Sequence, residues 1–217
     1  MKPNFAAVLS ATGLRLLIRA TGGWHHVGEI EFTDKDLSEK MRGLLDDAEA
    51  LATSAITTKL VIPNDHVRYI VLPPLLGDRS DQKQAVETAL EGATPYPLSA
   101  LSYDWTTHAQ RSYVAAVARE TLNEAESFAR TYGLNPVSYV ACPDAGQYEG
   151  ADGPSEPFFG TADAATELLR LGEIVEPDAV PVKVTGTAEV PRLAPRVAAA
   201  SSGYAPAPQA QASAQPL

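Results

Sequence analysis

Apolar and polar positions in the first third of the chain alternate with a period close to two. The runs "FAAVLS" (5–10), "GLRLLIRA" (13–20) and "WHHVGEIEF" (24–32) are separated by Thr12-Gly13 and Gly22-Gly23, pairs that supply turn conformations. This pattern predicts three short strands in a meander. The period then changes. Leu37, Met41, Leu44, Leu45, Ala48 and Leu51 recur every three or four residues, which predicts a helix over about 34–53 with one apolar stripe. Thr33 and Asp36 read as a capping pair at its start.

Two further strands follow in "ITTKLVIP" (56–63) and "VRYIVLP" (67–73), joined by Asn64-Asp65-His66. After Pro73-Pro74 a helix is predicted from Ser80 as N-cap to Gly92, with Val86, Ala89, Leu90 and Ala93 facing inward. The stretches "LSYDWTTHA" (101–109) and "SYVAAVA" (112–118) read as a hairpin. Thr121 and Glu124 have capping-box spacing, and the helix they open turns Leu122, Ala125, Phe128, Ala129 and Tyr132 inward before Gly133 stops it. "NPVSYVACP" (135–143) is a last clear strand, and a short helix fits about 162–171. The order predicts an α/β fold with a mixed sheet. A domain over 1–185 carries an inserted subdomain of αββ type at about 67–118. Residues 186–217 are predicted to be a disordered Ala/Pro-rich linker, because they combine prolines with small and polar residues and show no periodic apolar face.

Charge narrows the choice of partners. The chain has 217 residues, 45% of them hydrophobic, and a formal net charge of −10. That is enough apolar material for one sizeable core, and the summed field repels nucleic acid. The 17 Lys and Arg are scattered singly. One cysteine, Cys142, excludes an intramolecular disulfide and makes the cytoplasm the expected compartment. The run "FAAVLSATGLRLLIRA" is interrupted by Arg15 and Arg19, and no apolar run approaches the roughly 20 residues of a membrane helix. No direct membrane insertion is expected.

Candidate chemistry is sparse. His25 and His26 are adjacent, so on a strand they point to opposite faces and do not share an ion. His66 and His108 stand at a turn and a strand end. Cys142 lies in an apolar strand that raises a thiol pKa rather than activating it. Asp46-Asp47 and Glu124 with Glu126 belong to solvated helix faces. The loop "SATGLR" (10–15) lacks the glycine density and the Lys-Ser/Thr pair of a phosphate loop. No catalytic residue, metal ligand or cofactor is assigned, and the chain is not read as an enzyme.

The middle of the chain resembles the actin-like cytoplasmic proteins of pilus and secretion machines, the PilM and GspL families. The likeness rests on "LVIPNDHVRYIVLP", the proline-bounded helix with Glu87, Leu90 and Glu91, "TPYPLSALSYDW", "YVAAVAR" and "ARTYGLNP". The matching positions are Pro63, Leu72, Pro73, Pro95, Tyr96, Leu101, Asp104 and Trp105, then Gly133, Leu134 and Pro136, within a similarity over about 5–145. It implies the first lobe of an actin-like, ribonuclease H-like architecture. Nucleotide-binding members open with an Asp-x-Gly hairpin, and the comparable position here is Ser10, which argues against ATP hydrolysis. About 50 residues remain before the tail, too few for a second lobe. The resemblance therefore implies a non-catalytic cytoplasmic scaffold, on its own or as part of a longer membrane-associated protein. It would dock protein partners such as a peptide segment or a membrane-assembly component. An ATP-binding actin-like protein and a regulatory domain unrelated to secretion are the alternatives.

Prolines fix φ and bias the preceding residue toward extended backbone. Pairs at both ends of the 80–92 helix would hold it against the sheet beside a groove. The expected groove residues are Tyr69, Leu72, Pro73, Pro95, Tyr96 and Trp105. Alternation on strand 101–109 places Leu101, Tyr103, Trp105 and Thr107 on one face.

Overall fold

Three strands open the chain, β1 (Phe5–Leu9), β2 (Gly13–Ala20) and β3 (Gly23–Glu31), and they pair antiparallel as a meander. The structure is a computed structural model, and it describes residues 2–151, 153–165, 170 and 181–191. The β1–β2 turn needs Gly13, because a Cβ there would lie 2.2 Å from the carbonyl oxygen of Ile30. Helix α1 (Leu37–Leu51) follows and leads into β4 (Thr58–Ile62), which runs parallel to β1. The chain then leaves the sheet. It forms β5 (Val67–Leu72), α2 (Arg79–Leu90), and the hairpin β6 (Leu101–His108) and β7 (Arg111–Ala118). Helix α3 (Arg119–Thr131) brings it back to β8 (Pro136–Ala141), parallel to β4. Two short pairs complete the order: β9 (Glu149–Gly150) with β10 (Gly153–Pro154), and β11 (Phe158–Thr161) with β8. The last strand, β12 (Val184–Thr187), runs parallel to β3.

The main sheet has the order β11-β8-β4-β1-β2-β3-β12, and a second sheet has the order β5-β7-β6. Three antiparallel strands continued on the β1 side by two parallel ones, β4 and then β8, make the ribonuclease H-like sheet of an actin-type first lobe. The inserted unit at 67–118 is present with a βαββ order, since β5 precedes α2.

One core lies between the main sheet, α1, α3 and the inner face of the second sheet. It contains Phe5, Leu16, Met41, Leu60, Leu122, Tyr139 and Val117. A smaller cluster of Val86, Leu90, Val114 and Ala116 fixes α2 on the outer face of the second sheet. The opposite face of the main sheet buries Ala6, Leu17, Trp24, Val61 and Val140. Lys59 also lies buried on that face, its ammonium 2.7 Å from Glu156, whose side chain is 4% exposed.

Helix starts depart from expectation. Asp36 is the N-cap of α1 but makes no side-chain cap bond. Lys40 instead pairs with Asp34 at 2.7 Å, and that ammonium holds the Asp34 carboxyl below its ordinary pKa. Asp78, not Ser80, caps α2, with a full capping box to Asp81. Thr121 lies inside α3, because β7 runs straight into the helix at Ala118 and leaves no residue for a polar cap. Stops are as read, since Gly92 and Gly133 adopt φ of 73° and 74°.

The expected linker boundary at 186 falls within β12. Ala188 N–H still donates to the His26 carbonyl at 2.8 Å, so residues 186–188 belong to the sheet. The rest of the tail expectation, 192–217, lies outside the described residues. So does half of the helix expected over 162–171, where Asp163–Ala165 form a single 3-10 turn.

Candidate functional site

In open α/β sheets, ligands gather outside the carboxyl ends of parallel strands. At the centre of the sheet those ends are Leu9 on β1 and Ile62 on β4. The crevice beside them, about 180 Å³, is walled by Leu9, Phe32, Ile62, Pro63 and Phe128. Phe32 and Phe128 meet edge to face at 5.3 Å between ring centroids. Ser10, at the mouth, turns back on its own loop. Its Oγ accepts from the N–H groups of Gly13 at 3.0 Å and Thr12 at 3.3 Å. The amides of this turn are thus satisfied by a side chain, and they open on a neighbouring hollow lined by Arg15, Glu29 and Glu31 rather than on the crevice.

The crevice continues into a second hollow of about 370 Å³, and His66 and Thr121 line both. The second hollow arises from small residues. Helix α2 ends at Leu90 and leaves the end of the outer face of the second sheet uncovered. Ala116 and Ala118 form the floor there, with Leu101 beside them. Arg68 stands on one wall, and Thr94, Pro95 and Tyr96 form the other. Tyr96 is 43% exposed, unusual for a large aromatic side chain among the described residues. Together the two hollows make one trough from the Pro95-Tyr96 turn to Phe32, where the inserted unit meets the body.

The six expected groove residues do not share a site. Pro95 and Tyr96 line the trough. Leu72 and Trp105 lie with α2 on the outer face of the second sheet, and Pro73 starts the exposed loop before that helix. Tyr69 points the other way. It packs on the main core and donates its hydroxyl to Asn64 Oδ1 at 2.8 Å. Burial pushes its pKa up, and the charges of Cys142 and Asp144 add to the shift. The alternation rule explains the split, since positions 69 and 72 differ by an odd number along β5.

Trp105 shares its face with Leu101 and Tyr103, as the alternation predicts. Its ring is occupied from above by the Arg79 guanidinium at 4.1 Å, and its Nε1–H reaches Gln82 Oε1 at 3.4 Å. Tyr103 donates to Glu87 on α2. Burial, then that carboxylate, raises the Tyr103 pKa to about 12. These contacts lock α2 to β6 and do not line the trough. Asp104, on the inner face, accepts from Phe158 N–H at 2.9 Å and so anchors β11.

Sequence reasoning missed Phe32, His66, Arg68, Thr121 and Phe128. They come from four separate elements or turns, Thr121 and Phe128 both from α3, and only the fold brings them together. The one available signal was the pair Ala116 and Ala118, small residues on a strand whose covering helix ends early. Cys142 lies as expected in apolar surroundings. Burial, then the charge of Glu156, pushes its thiol to about 12. Among the described residues no group of three or more His, Cys, Asp or Glu is placed to hold a metal. None of the described helices is long and apolar enough to cross a membrane.

The sheet order and the inserted unit define the class: an actin-type first lobe with a mixed sheet. No protein-family model matches the chain, and no curated protein matches it. Among solved structures it is similar to the cytoplasmic domain of EpsL, an inner membrane component of the type II secretion system of Vibrio cholerae. That likeness has 10% identity and a TM-score of 0.47, and covers 65% of this chain and 60% of the other. A PilM-PilN type IV pilus biogenesis complex matches with 18% identity and a TM-score of 0.49, over 65% of this chain and 48% of the other. A protein of unknown function with an actin-like ATPase fold, from Bacteroides thetaiotaomicron, matches with 10% identity and a TM-score of 0.34. It is covered over 50% of its length by 62% of this chain. The match thus spans about half to three-fifths of each of these chains.

Proposed function

We propose that this chain is a non-catalytic docking domain that binds an extended segment of a partner protein in the trough between Tyr96 and Phe32. The observation that carries the reading is the state of the nucleotide position. Ser10 Oγ occupies the turn amides, and the crevice walls are largely aromatic and aliphatic, with the Glu124 carboxylate, Thr121 and His66 as their polar members. Such walls favour an apolar side chain over a phosphate, which needs free N–H donors and positive charge. The floor of Ala116 and Ala118 lets a backbone approach closely, and Tyr96 offers an exposed aromatic edge.

The resemblance of "LVIPNDHVRYIVLP" and "TPYPLSALSYDW" to pilus and secretion proteins supports a place on the cytoplasmic side of a membrane-assembly machine. The partner is then a cytoplasmic segment of a membrane component. A photo-crosslinking residue placed at Tyr96 tests this in cells, with one at the exposed Leu76 as control. The reading expects one discrete adduct at 96 that disappears when Ala118→Leu fills the floor. An adduct pattern equal at both positions, or unchanged by the filled floor, contradicts it.

A further inference from the structure

Between Pro181 and Pro191 the chain reads Val-Lys-Val-Thr-Gly-Thr-Ala-Glu-Val. About Gly186 this run is its own complement. Thr185 mirrors Thr187, Val184 mirrors Ala188, Lys183 mirrors Glu189, Val182 mirrors Val190, and the two prolines mirror each other. Two identical strands paired antiparallel about a twofold axis place every residue opposite its mirror. Centred on Gly186, that arrangement sets Thr against Thr and Lys against Glu twice each, all favourable cross-strand pairs. Moving the centre by half a residue, to between Thr185 and Gly186, puts Lys183 opposite Ala188 and forfeits both ion pairs.

The structure places this run where it could act. β12 is the terminal strand of the seven-stranded sheet, and its outer edge pairs with no other described strand. Lys183, Val184, Thr185, Thr187 and Glu189 are all exposed, Val184 by 47%. Neither Lys183 nor Glu189 forms an ion pair among the described residues. Edge strands are usually protected by an inward charge or a proline within the strand, and Val184–Thr187 has neither. The prolines stand outside it and set the length of any ladder, since proline gives no N–H. The register shift of β12 on β3 falls between Val184 and Gly186, beside the residue that the axis would cross. A Cβ at Gly186 would lie 3.0 Å from the His25 ring, so the close approach of β12 to β3 favours glycine at that point.

We propose that the outer edge of β12 is a dimerisation edge that takes β12 of a second copy of this chain, antiparallel about a twofold axis at Gly186. The contact is short, and two bodies of net charge −10 repel. The dimer is therefore weak and reversible, of the low-area kind.

Sedimentation equilibrium over roughly 5 µM to 1 mM reads such an association directly. The native chain should pass from monomer to dimer. Lys183→Glu alone, or Glu189→Lys alone, sets like charges opposite each other twice and should weaken association about tenfold or more. An equimolar mixture of those two variants should regain it as a heterodimer, and so should the double exchange within one chain. Both side chains are exposed, so the variants should melt like the native chain. A chain that stays monomeric throughout overturns the proposal. Single variants that dimerise as well as the native chain, or a mixture that does not recover, do so as well.

Discussion

Lys59 is the residue whose environment departs most from its sequence context. In "TKLVI" it looks like a polar position on a half-exposed strand, yet its side chain is fully buried. Glu156 neutralises it from a segment 97 residues away, and the Trp24 ring lies 4.8 Å from its ammonium. Nothing local announces that burial, because the cover comes from a distant segment. Breaking a buried pair leaves an uncompensated charge, at a cost of about 3–5 kcal/mol. Lys59→Ala should show that loss in chemical denaturation, while Lys59→Met combined with Glu156→Leu should lose clearly less. Equal losses would mean that charge pairing contributes little at this position. Cys142 was legible, because an apolar strand context is enough to predict a raised thiol. With the folded pKa near 12 against an ordinary value of 9, the neutral thiol is favoured in the fold. Its contribution is full below pH 9 and is lost as pH rises from about 9 to 12. Alkylation by iodoacetamide at pH 8 should therefore be slow in the native protein and fast once it is unfolded. Rapid native labelling would contradict the burial.

At the scale of elements, periodicity identified every strand of the two sheets up to β8 and the helices α1, α2 and α3. Caps and turns were less legible. The N-cap of α2 is Asp78 rather than Ser80 because Asp78 keeps extended backbone, ψ near 180°, and reaches two amides at once. Asp78→Ala should lower stability by about 1 kcal/mol, whereas Ser80→Ala should be nearly silent in the same melts. The β6–β7 hairpin turns on Ala109 and Gln110, with φ of 48° and 62°. Two left-handed positions suit the primed turn that matches strand twist, but neither residue is one that favours it. This explains why the hairpin was readable from its strands and not from its turn. Gln110→Gly should raise stability by about 0.5–1 kcal/mol in urea titrations; a loss would show that the Gln110 side chain makes a contact worth more than the strain. Trp105 belongs to α2, half-buried under Arg79. Trp105→Ala should cost about 2–3 kcal/mol, less than a fully buried aromatic.

For the whole molecule, the order of elements carried most of the information, because a meander, a helix and two parallel returns admit few arrangements. The trough did not follow from that order. It depends on where α2 ends above Ala116 and Ala118 and on which face of β5 each aromatic takes, and one odd-numbered spacing sent Tyr69 into the core. The central claim is that the crevice at the carboxyl ends of β1 and β4 receives protein side chains and not nucleotide. The most direct measurement is the melting temperature of the chain with and without millimolar Mg-ATP. A nucleotide site of micromolar affinity would stabilise the fold by about 4 kcal/mol, a rise of several degrees for a chain of this size. The account predicts no change in melting temperature, and a rise of several degrees that saturates with Mg-ATP concentration would contradict it.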